Sequence, residues 1–192
     1  MRVTTLIDNR PAPQLTAEWG LAFWIEYQDK HILLDTGGGE NFARNAAALG
    51  IYLSRADFAV LSHAHWDHAD GLPAFFRRNP TAPLYLRQGC GEDCYDRTDR
   101  GWRYEGIRKG TLAEYADRIR FVSGPYSPTP GVFLLPHTTP GLAAKGKAGK
   151  MYRLRDGKYT PDDFSHEQSL VFQTARGLVI FNSCCHAGAD VI

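Results

Sequence analysis

From Leu61 to Leu72 the chain runs LSHAHWDHADGL, so three of its seven histidines and a carboxylate (His63, His65, Asp67 and His68) fall within six positions. The apolar run ending at Ser62 delivers His63 and His65 two residues apart, and residues so spaced on an extended strand share a face. Asp67 and His68 follow where the chain turns into a helix. Neutral imidazole and carboxylate suit borderline divalent cations, zinc first, with iron, manganese, cobalt and nickel as competitors. The spacing serves two ions as well as one: His63 and His65 on the first, Asp67 and His68 on the second. A pair of metals clamps both the attacking and the leaving oxygen of a hydrolytic reaction. Without a metal, so dense a cluster would repel itself on protonation, which weighs against a merely structural role.

The elements that must position these residues are mostly strands. Apolar runs with strand character recur at 21–27, 31–36, 57–62, 83–87, 119–122, 131–135, 169–174 and 178–183, most of them bounded by Gly, Pro, Asp or Asn. Short polar turns near 28–30 and 174–177 predict hairpins. Helices are predicted at 40–50, where Phe42, Ala46 and Leu49 recur at helical spacing before Gly50, and at 70–80 and 111–118. The stretch 141–159 alternates Gly and Lys without a period and predicts a mobile loop. The class is α/β or α+β. At 192 residues the chain is expected to be one domain, 1–192.

Hydrophobic residues at 43% and charged residues at 22% describe an ordinary globular chain, and a net charge of +1 supplies no field for nucleic acid or an anionic membrane. A small-molecule substrate is expected. No signal peptide and no apolar run of spanning length is seen, so the cytoplasm is the expected compartment. Cys90, Cys94, Cys184 and Cys185 are expected as reduced thiols: Cys90 and Cys94 lack the second pair of a zinc ribbon, and Cys184 and Cys185 read as small residues packed beneath a site, with a redox or ligand role as the alternative for Cys185.

The cluster resembles the H-x-H-x-D-H signature of the metallo-β-lactamase superfamily, and two further stretches agree: ILLDTG at 32–37 and LVIFNSCCHAGAD at 178–190. EQSLVF at 167–172 together with SCCHAG at 183–188 is similar to the subgroup that includes the dihydropterinyl-methyl ribofuranosylaminobenzene phosphate synthases. The resemblance runs from about Gly20 to Ile192. It implies an αββα sandwich with metals at the edge between two sheets. His63, His65 and His186 would hold the first metal and Asp67 and His68 the second, while Asp35 would either orient a ligand or fix a turn. His137 would be either a further ligand or a loop histidine, and His166 and Glu167 either line the site or end a loop. Relatives of this kind continue into further elements and a last histidine that completes the second metal. The fold is therefore expected to be truncated after the His186 motif, with weak occupancy of the second metal and an exposed edge that favours a homodimer.

The activity implied is that of a metal-dependent hydrolase using a mono- or dinuclear zinc site, with Asp67 positioning a metal-activated hydroxide. Its substrate would be small and anionic or phosphorylated, with Lys145, Lys147 and Lys150 as candidate phosphate contacts. The alternatives are an inactive or sensing metal-binding homologue and a di-iron redox protein, against which His65 counts.

Overall fold

The computed structural model describes residues 1–192. In chain order the first half holds β1 (Arg2–Ile7), β2 (Ala22–Tyr27), β3 (Lys30–Leu34), α1 (Asn41–Ala48), β4 (Phe58–Val60), α2 (Trp66–Ala69), α3 (Leu72–Arg78) and β5 (Leu84–Arg87). The second half holds β6 (Cys94–Thr98), β7 (Gly101–Tyr104), α4 (Thr111–Glu114), β8 (Ile119–Val122), β9 (Tyr126–Thr129), β10 (Val132–Pro136), α5 (Leu142–Ala148), β11 (Met151–Arg155), β12 (Lys158–Pro161), β13 (Gln168–Thr174) and β14 (Gly177–Phe181).

Period-two alternation sorts the apolar side chains into two layers. On β3, Leu33 faces one way while Ile32 and Leu34 face the other; on β4, Ala59 opposes Phe58 and Val60. The first set packs with Phe42 and Ala46 of α1 and with Leu72, Phe75 and Phe76 of α3. The second set meets Val132 and Leu134 of β10 and Leu170 and Phe172 of β13, which makes the interior of a sheet sandwich. The first sheet has the order β1-β2-β3-β4-β5-β8, antiparallel up to β3 and parallel beyond it. The opposing sheet is β14-β13-β10-β9, and a third, β12-β11-β6-β7, is antiparallel throughout.

Both expected hairpins form, β2–β3 and β13–β14. The segment 141–159 departs from expectation: it contains α5, all of β11 and the start of β12. Gly146 lets the helix lie against the backbone of Asp162, where a Cβ would collide with the carbonyl, and Leu142 is buried with Phe164 and Ala187. Asp156 and Gly157 both take positive φ and close the β11–β12 turn.

Candidate metal centre

The site forms where the parallel strands β3 and β4 end. Asp35 follows β3 with φ 58° and donates its N–H to the Val60 carbonyl, which sets its side chain beneath the turn that starts at Ser62. His63 and His65 leave β4 on an extended path; the His65 backbone bridges to Gly106, and the Trp66 N–H donates to the Glu105 carbonyl, so the loop after β7 braces the motif. His186 comes from the loop after β14, where Ser183, Cys185 and Gly188 all take positive φ.

This loop brings the distant histidine into place. His65 Nδ1 stands 3.0 Å from His186 Nε2, which stands 3.3 Å from His63 Nε2. Burial above all, and then the neighbouring imidazoles, hold His63 and His65 well below the usual histidine range, so both rings offer lone pairs at neutral pH. Nitrogens bound at 2.0–2.1 Å to a tetrahedral ion lie about 3.3 Å apart, so the three rings fit a divalent metal in spacing. Burial opposes charge on His186, but its hydrogen bond with Cys184 and the nearby Glu167 carboxylate raise it above the usual histidine range, so an ion would displace a proton there.

Asp35 and His68 form a second, adjoining unit. Asp35 Oδ1 accepts the Ser62 N–H at 2.7 Å, while Oδ2 meets the hydroxyls of Ser62 and Ser183 and His68 Nδ1, each at 2.7 Å. With Nδ1 engaged by Asp35, His68 Nε2 faces Cys184 Sγ at 3.1 Å and Asp67 Oδ2 at 3.6 Å. Burial opposes charge on His68, but the Asp35 carboxylate outweighs it and raises the group to about 10. Burial likewise opposes the Cys184 thiolate, yet hydrogen bonds with His186 and His68 bring it down to about 7. Donor atoms of His63, His68 and Cys184 lie within 4.8 Å of one another. Cys184 is thus a site residue rather than packing beneath one, while Cys185, against the alternative of a ligand role, belongs to none of the donor groups and takes left-handed backbone.

His137 does not join these donors. Its Nδ1 lies 3.1 Å from Glu167 Oε2 and its Nε2 3.0 Å from Ser169 Oγ, so both ring nitrogens are taken. A further buried group, His65, Cys94, Asp162 and His166, also brings donor atoms within 4.8 Å. His166 Nδ1 accepts the Ala64 N–H and its Nε2 donates to Asp162 Oδ2, both at 3.0 Å, leaving no lone pair for an ion; the buried Arg153 already supplies a cation 4.0 Å from Asp162. Asp162 and His166 thus form a hydrogen-bonded pair that fixes the backbone at Ala64, between His63 and His65.

A cleft of about 280 Å³ opens over Asp67, His68 and Cys184, walled by Asp8, Arg10 and the exposed Trp19. Lys145, Lys147 and Lys150 do not line it; its cation is Arg10. Ser62, Ser183 and Cys184 went unremarked in the sequence as site residues, although each adjoins a motif histidine or lies two to three residues from one. No helix is long and apolar enough to cross a membrane.

Fold and histidine cluster together define a member of a known class: the chain belongs to the metallo-beta-lactamase superfamily, whose family model matches residues 18–151. It is 28% identical over 186 residues to the 7,8-dihydropterin-6-methyl-4-(beta-D-ribofuranosyl)-aminobenzene-5'-phosphate synthase of Methanocaldococcus jannaschii, covering 90% of this chain and 63% of that protein. Among solved structures, Tm1679, a metal-dependent hydrolase of the beta-lactamase superfamily, superposes with a TM-score of 0.80 at 28% identity, over 98% of this chain and 67% of that one. An N-acyl homoserine lactone hydrolase shares the fold at TM-score 0.50 and 20% identity, over 84% of this chain and 59% of that one. The expected superfamily and fold class are both borne out.

Proposed function

We propose that this chain is a metal-dependent hydrolase acting on a small anionic substrate. The convergence of His63 Nε2, His65 Nδ1 and His186 Nε2 carries the reading. These three would hold a first ion, and His68 and Asp67 a second, with the Cys184 thiolate as a third donor from within the chain. Zinc suits the mixed imidazole, carboxylate and thiolate set best, with iron, manganese, cobalt and nickel as competitors. When bound, the metal supplies Lewis acidity and brings a coordinated water into the ionisable range near neutrality.

The residues of the chain supply the rest. Asp35 keeps a proton on His68 Nδ1, so Nε2 is the nitrogen that would bind an ion, giving up its own proton to do so. Asp67, which lines the cleft, would accept a proton from an attacking water and hold it in line. Arg10 offers a guanidinium to a phosphate or carboxylate, and Trp19 offers an apolar wall. The phosphate in the name of the M. jannaschii relative supports a phosphorylated substrate, and its naming as a synthase supports a second reading in which the same site serves a group-forming reaction. We take the chain as one cytoplasmic domain with a small-molecule partner, able to pair with a second copy.

The test is metal analysis of protein purified without added metal, together with hydrolysis of phosphate and carboxylic esters, for wild type and His65→Ala. Stoichiometric metal and chelator-sensitive hydrolysis are expected in wild type, and both are expected to be lost in the variant. Trace metal in wild type, or hydrolysis indifferent to chelator, would overturn the proposal.

A further inference from the structure

The loop that carries His186 has no regular structure of its own, yet its ring must be placed to within tenths of an ångström of two others. A chain of buried polar contacts spans it. Asn182, just after β14, accepts a hydrogen bond on its side-chain oxygen from the Ser169 hydroxyl at 2.7 Å. Ser169 Oγ also meets His137 Nε2 at 3.0 Å, and His137 Nδ1 meets Glu167 Oε2 at 3.1 Å. The other oxygen of Glu167 accepts the backbone N–H of His186 at 3.2 Å. The side chains of His137 and Glu167 are only 3% and 2% exposed, so neither group can trade these partners for water. The polar chain therefore closes a clasp from Asn182 to His186, across the residues whose backbone departs from the usual region at Ser183 and Cys185.

We propose that Glu167 and His137 are positioning residues for His186: they fix the loop from the strand side while Ser183, through Asp35, fixes it from the metal side. The inference rests on the reading of His186 as a metal ligand. It gives His137 a role that sequence alone left between ligand and bystander. Glu167 and Ser169 lie two apart on one face of the chain entering β13, and His137 follows β10, the neighbouring strand, so the clasp is built on paired strands rather than on the loop it holds.

The test uses cobalt(II) as the probe, read by its visible absorption and by competition titration, on folded variants checked by circular dichroism. Glu167→Ala should weaken binding at the first site by about 10-fold to 100-fold, the range expected for outer groups that orient a ligand, and shift the cobalt spectrum. Glu167→Gln should recover most of the affinity: its oxygen can still accept the His186 N–H while its NH2 meets His137 in the Nε2–H tautomer. His186→Ala is the reference. If it leaves cobalt binding unchanged, the ligand reading fails; if it abolishes the spectrum while Glu167→Ala binds like wild type, only the clasp fails. Equal losses in Glu167→Ala and Glu167→Gln would also refute it, since charge rather than hydrogen-bond geometry would then be what matters.

Discussion

Replacing Asp35 separates what this carboxylate does for the fold from what it does for the site. In Asp35→Ala, the Ser62 N–H and the His68 Nδ1–H lose their acceptor inside the protein, whereas the two serine hydroxyls can turn to other partners. An orphaned buried donor costs about 1–3 kcal/mol, so the two together cost roughly 2–6 kcal/mol. The left-handed backbone at φ 58°, which Asp tolerates better than Ala, adds about 1 kcal/mol. The expected loss is therefore roughly 3–7 kcal/mol, and with a urea slope of about 2 kcal/mol/M the midpoint should fall by about 1.5–3.5 M. Asp35→Asn should behave differently. Asn accepts positive φ and can keep the Ser62 N–H on its oxygen, so about 1–2 kcal/mol is lost. Its NH2, however, now faces His68 Nδ1, and the ring must carry its proton on Nε2, the nitrogen that faces Cys184. Urea unfolding followed by circular dichroism, paired with zinc titration by calorimetry, should show a nearly intact fold that keeps the first metal and loses the second. An Asp35→Ala protein within 1 kcal/mol of wild type, or an Asp35→Asn protein with unaltered zinc stoichiometry, would refute the reasoning.

Further outcomes follow from other parts of the molecule. In metal-free protein Cys184 should alkylate with iodoacetamide along a curve whose midpoint lies near pH 7, rising with pH because the thiolate is the reactive form, while Cys90, pushed up to about 12 by burial, stays unmodified in peptide mass maps. Gly20→Ala places a methyl group against the Asp67 carbonyl at φ 138° and should lower the melting temperature well beyond Gly101→Ala, where φ is 122° but the space is open. Phe42→Ala empties a fully buried position on α1 and should cost about 3–5 kcal/mol in chemical denaturation.

The strands of the sandwich were legible in the sequence because their two faces meet different apolar layers, so the alternation at Ile32, Leu33 and Leu34 is written in the residue types. The histidine cluster was legible for a related reason: its spacing alone puts the side chains together. What escaped lies where tertiary partners decide. The polar strands β6, β7 and β12 carry little apolar period, and their pairing rests on neighbours distant in sequence. The Asp156-Gly157 turn was a readable hairpin signal, masked by the irregular Gly and Lys residues before it. The choice of Cys184 over Cys185 follows from left-handed backbone at Ser183 and Cys185, which residue type does not announce.

The span between the ends of the first site has a consequence for how the molecule assembles. His65 and His186 are 121 positions apart, so the three histidines exist as a group only after the first and second sheets have docked. An ion seated there is a staple across most of the chain. Its binding energy accrues to the finished sandwich alone, adding about 2.7 kcal/mol when free metal stands at a hundred times its dissociation constant. Loss of the ion should then loosen the polypeptide from the His186 loop inward.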